Sequence, residues 1–91
     1  MAGLNDVIAA AIRAERSRRR LTQAQLADLA SIPRATMADI ESGQRRINLD
    51  NLPAVCAALE VSLLELVRHA DADDLVRLGL RKRDVLAFYA E

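Results

Sequence analysis

Arginine is the residue in this chain best equipped to make specific contacts, and it is unevenly placed. Eight arginines (Arg13, Arg16, Arg18, Arg19, Arg20, Arg34, Arg45, Arg46) stand in residues 1–47 against five acids (Asp6, Glu15, Asp28, Asp39, Glu41), a balance of +3. Residues 48–91 hold five bases against eight acids, a balance of −3, so a formal net charge of zero conceals a polar molecule. A guanidinium fork bonds phosphates and planar acceptor edges through paired donors. The basic half therefore suits an anionic partner. Bond-making chemistry finds no support: the sequence has no Gly-rich phosphate loop, no cluster of metal ligands and no nucleophile beside a base at recognisable spacing. Serines, threonines and acids are scattered as helix caps. No enzyme activity, cofactor or metal is expected. His69 lacks Cys or His neighbours. The single cysteine, Cys56, excludes an internal disulfide and reads as a small core residue.

The element that would present these arginines lies between Thr22 and Gly43. Thr22 with Gln25 three residues on is a capping box. Leu26, Leu29 and Ala30 follow at helical spacing, so Thr22 to Ala30 predicts a short helix. Ser31-Ile32-Pro33 breaks it, because Pro cannot continue a helix. A second helix can start at Pro33 or Arg34, where Pro is tolerated. Met37 and Ile40 give it an inward face, and Gly43 ends it in a left-handed cap. Arg34, Ala35, Thr36, Ala38 and Asp39 are left at or near its outer face. Two short helices joined by so short a turn cross steeply, which makes a helix-turn-helix.

Further helices support this pair. Leu4, Val7, Ile8, Ala11 and Ile12 line one face of a first helix running to about Arg19. Arg16 continues that face and needs a partner, because an unpaired buried charge is costly. Arg18, Arg19 and Arg20 suit the helix C-terminus, with phosphate contact as the rival reading. A fourth helix starts near Asp50 or Asn51, since Pro53 is comfortable only in a first turn. Leu52, Val55, Cys56 and Leu59 line its inner side. Ser62 with Glu65 reads as a second capping box opening a fifth helix, whose Leu63, Leu66 and Val67 close the core. Residues 71–91 are expected to form a helical extension to a 1–70 domain. Its apolar Leu75, Leu78, Val85, Leu86, Phe88 and Tyr89 either cover the core or form a dimer interface.

The segment from Leu21 to Leu59 resembles the Xre family of helix-turn-helix proteins, which includes Cro and the lambda-type phage repressors. Leu21-Thr22-Gln23, Leu26-Ala27, Ile32, Ile40-Glu41-Ser42-Gly43, Leu52, Leu59 and Val61 to Leu66 carry the resemblance. It implies an all-α, compact five-helix lambda-repressor-like domain. It implies that Arg16 pairs with Glu41. It also implies base contacts by Arg34, Ala35 and Asp39, with Thr36 nearby. Arg34 would take a guanine edge, Ala35 a thymine methyl, and Asp39 a cytosine amine; Asp39 would otherwise restrain Arg34 or repel phosphate. Phosphate contacts are expected from Thr22, Gln23, Gln44, Arg45, Arg46 and Arg20. Two departures stand out. Arg20 occupies a position where Gly is usual, so it must adopt a left-handed conformation or reshape the turn. Pro33 replaces the usual hydroxyl cap.

Function follows as an expectation. A single domain of 91 residues is short enough that oligomerisation helps it. Phe88 and Tyr89 are the only aromatics, which argues against single-strand binding by base stacking. Double-stranded DNA is the expected partner, read by a homodimer on a palindromic operator. The dimer would repress by occlusion or activate by touching polymerase. The alternative is a protein-interaction module, such as an antitoxin that binds a toxin, with DNA binding secondary. No leader or membrane-spanning run is evident, so a cytoplasmic protein is expected.

Overall fold

The computed structural model describes residues 4–48, 50–67 and 76. The helices are α1 (Leu4–Arg18), α2 (Gln23–Ala30), α3 (Arg34–Ser42), α4 (Asn51–Leu59) and α5 (Leu63–Leu66), with no strand among the described residues. The fold is all-α, as the periodicities predict. The six interface residues expected at 75–89, His69 and the division at residue 70 lie outside the described residues.

Local signals explain the starts. Thr22 Oγ1 accepts the Gln25 amide at 3.0 Å, and Gln25 Oε1 accepts the Thr22 amide at 2.8 Å, so the capping box closes in both directions. At α5 only half of the expected box forms: Ser62 Oγ accepts the Glu65 amide at 3.1 Å. Pro53 sits in the first turn of α4, where its missing N–H breaks no helical bond.

The ends of α1 to α4 share one device. At the close of α1 the Leu21 amide reaches the Arg16 carbonyl at 3.1 Å and the Arg20 amide reaches Ser17 at 3.0 Å. Ile32 to Ala27 ends α2 in the same way, Gln44 to Asp39 ends α3, and Val61 to Cys56 ends α4. Such an ending needs one left-handed residue. Only α3 supplies a glycine, Gly43 at φ +81°; Arg20, Ser31 and Glu60 take φ of 57°, 56° and 57°. Arg20 thus resolves its departure by accepting the strained conformation rather than by reshaping the turn.

The core is aliphatic and continuous. Ile8 and Ile12 of α1, Leu26, Ala27 and Ala30 of α2, Met37 and Ile40 of α3, Val55, Cys56 and Leu59 of α4, and Leu66 of α5 with Val67 bury together. Within it α2 packs on α4 and α3, α1 on α3 and α5, and α4 on α5. Full burial stabilises each Leu, Ile, Val or Met side chain among these by about 1.5–3 kcal/mol. Burial also pushes the Cys56 thiol pKa up, so it stays a neutral packing group. Two apolar residues of the helices face outward, Leu63 against expectation. Leu29 is 60% exposed and Leu63 47%, because α2 and α5 each turn only one narrow stripe inward. Glu15 has the reverse fate, a carboxylate buried in the α1 face.

Candidate nucleic-acid interface

The outer face of α3 stands on a polar clamp provided by α1. Arg16 Nε lies 2.9 Å from both Glu41 oxygens, and Arg16 Nη1 donates to the Leu21 carbonyl at 2.9 Å. Glu41 is 2% exposed, so the carboxylate is tolerated only because this guanidinium neutralises it. Arg13 donates to the Glu41 backbone carbonyl, and Asn5 Nδ2 donates to the Gly43 carbonyl at 3.0 Å. Both fill acceptors left open at the C-terminus of α3, where a cation also suits the helix dipole. A Cβ at residue 43 would meet Asp6 Oδ1 at 2.8 Å, besides straining the positive φ.

The arginine run at the end of α1 divides by role. Arg18 bonds Glu15, a hydrogen bond that, with the attraction between the charges, raises the Arg18 pKa. Arg19 bridges Glu15 Oε2 at 4.0 Å and Glu60 Oε2 at 3.4 Å, tying the end of α1 to the end of α4. Glu15 Oε2 is buried and receives no hydrogen bond among the described residues. Arg20 makes no ion pair or side-chain hydrogen bond among the described residues, and it stands exposed beside Thr22 and Gln23 at the start of α2.

On α3, Met37, Ile40 and Glu41 point inward and Arg34, Ala35, Thr36 and Asp39 are left on the outer side. Arg34 and Ala35 are exposed, while Thr36 and Asp39 are half-buried. Pro33 offers no side-chain cap, so the first-turn amides of α3 lack an acceptor from that residue. Arg34 and Arg46 have no ion pair or side-chain hydrogen bond among the described residues. Asp39 does not restrain Arg34: its Oδ2 lies 3.9 Å from Arg45 Nε. Thr22 Oγ1 is occupied by the Gln25 amide, and Gln23 is half-buried beside it. Gln44 is exposed in the loop that leads away from Gly43.

Three details escape a reading of the sequence. Arg13, three residues before Arg16, also reaches α3. Asn5 does so a further two turns back. Glu15 is drawn inward, and its signal was Arg18 and Arg19 at three and four residues on, the spacing at which helix side chains meet.

Comparison with known proteins matches this geometry to a family. The helix-turn-helix family model covers residues 12–66, from the middle of α1 to the end of α5. The immunity repressor protein of Bacillus phage phi105 is 41% identical over 56 residues, 62% of this chain. The matched stretch spans 39% of that repressor's length. Among solved structures, the clp gene regulator ClgR of Corynebacterium glutamicum superposes with a TM-score of 0.73 at 22% identity, covering 94% of this chain and 88% of that one. The wild-type restriction–modification controller protein C.Esp1396I gives a TM-score of 0.72 at 21% identity, over 85% and 99% of the two chains. These two show likeness of fold. The family match covers more than half of the chain, and it falls on the helices that carry the Arg16–Glu41 clamp and the outward face of α3. The chain therefore belongs to the Xre-type helix-turn-helix family of DNA-binding transcriptional regulators.

Proposed function

We propose that the chain is a repressor that binds double-stranded DNA as a homodimer on a palindromic operator, with α3 as the reading helix. The observation that carries this reading is Arg34: an exposed guanidinium at the start of α3, unengaged among the described residues, on a helix braced from behind by Arg16 and Glu41. In the major groove Arg34 would bond a guanine edge through two donors, with Ala35 and Thr36 against neighbouring edges and Asp39 further along the same helix. Arg20, Thr22, Gln23, Gln44 and Arg46 would meet phosphates on either side of the groove.

One reading helix covers few bases, so a two-fold pair of domains on half-sites about one helical turn apart gives usable affinity. Leu63 and Leu64 on α5, exposed at 47% and 48%, support a second copy as the cover for that end of the molecule. The apolar Leu75, Leu78, Val85, Leu86, Phe88 and Tyr89 extend the same argument in sequence. Repression would follow from occupying promoter DNA.

Equilibrium binding of a mixed-sequence duplex to the full chain, across a salt series, tests the class of partner. The logarithm of affinity should fall linearly with the logarithm of salt concentration as counterions are released. A folded protein with no affinity even at low salt would refute the reading.

A further inference from the structure

The pairing of Asp39 with Arg45 is not explained by base reading. Asp39 lies in the middle of α3 and Arg45 in the loop that leaves it, with Asp39 Oδ2 3.9 Å from Arg45 Nε. The side chains are 47% and 57% exposed, so neither is needed to fill the core. The backbone sets them face to face. The Gln44 and Arg45 amides both donate to the Asp39 carbonyl, at 3.0 and 3.2 Å, and Ser42 Oγ donates to it at 3.0 Å. Arg45 is therefore tethered beside the carboxylate with little further ordering cost.

The separation exceeds hydrogen-bond length, which leaves a loose Coulombic pair of small worth in free solution. Its effect is felt at a polyanion. Arg45 must leave Asp39 to neutralise a phosphate, and the carboxylate it leaves is then an uncompensated anion facing the backbone. Arg46, the next residue, has no such partner among the described residues, and neither does Arg34.

We propose that Asp39 is a positioning residue that holds Arg45 off the phosphates, setting the affinity for duplex DNA below what the arginines of this face would give. The proposal rests on the duplex-DNA reading above. Asp39 acts through Arg45, so the two residues are coupled rather than independent.

A double-mutant cycle on the full chain tests this. Wild type, Asp39→Asn, Arg45→Ala and the double variant are titrated with one mixed-sequence duplex over a salt series, each first shown to be folded by its thermal melt. Asp39→Asn should bind severalfold tighter, with a slope of log affinity against log salt steeper by about 0.9, the value for one added phosphate contact. In the Arg45→Ala background the same change should bring little gain. An equal gain in both backgrounds overturns the proposal and leaves plain repulsion of phosphate by Asp39. No gain in either, with wild-type binding intact, also overturns it. Absence of wild-type binding at every salt concentration refutes the duplex-DNA reading instead, and the proposal with it.

Discussion

Arg16 of α1 and Glu41 of α3 form the joint that fixes the outward helix on the domain, with Nε 2.9 Å from both carboxylate oxygens and the Glu41 side chain 2% exposed. A pair this enclosed holds geometry more than it adds stability, since two charges had to be desolvated to make it.

Removing one partner should therefore cost far more than removing both. Glu41→Leu or Arg16→Met alone should destabilise by about 3–5 kcal/mol, a large share of the stability of a small domain. Arg16→Met combined with Glu41→Leu should cost less than either single change. Urea denaturation of the four proteins measures this, and simple addition of the two losses would contradict it.

Arg20 sets stability against binding. Its φ of 57° is strained for a side chain, and glycine at that position relieves about 1–2 kcal/mol. Arg20→Gly should raise the melting temperature, by about 4–8 °C for each 1 kcal/mol gained in a domain of this size. The same variant should bind duplex more weakly, with a shallower salt slope. A variant that melts higher and binds unchanged would remove Arg20 from the phosphate contacts.

Arg34 and Arg46 should fail in different ways. Arg34→Ala should cost about 1–3 kcal/mol on the preferred sequence and relax the preference at one base pair. Arg46→Ala should weaken all duplexes alike and lower the salt slope by about one. Competition titrations with matched and mismatched duplexes separate the two patterns.

Most of the frame was legible in the sequence because residues with distinctive capping or backbone chemistry mark it. Thr22 with Gln25, Gly43 and Pro53 each announce a helix boundary: α2 starts after Thr22, α3 ends at Gly43, and Pro53 falls in the first turn of α4. Apolar spacing was a weaker guide. Leu29 and Leu63 stand at helical positions yet face outward, because spacing shows that a helix can have an inner face but not how wide its neighbours make it. Charges were weaker still. Glu15 is buried because Arg18 and Arg19 fold over it, and Asp39 pairs with a loop residue six positions away. Those partnerships depend on where turns send the chain, as do the left-handed conformations of Ser31 and Glu60, which no glycine marks.

Selection from a random duplex library at roughly physiological salt asks whether the outer face of α3 reads duplex sequence. A sequence-reading α3 should enrich a palindrome with half-sites about one helical turn apart, and lose one base preference in each half-site when Arg34→Ala is selected alongside. A folded wild-type protein that enriches no sequence, or an Arg34→Ala variant that enriches the same one, would contradict it.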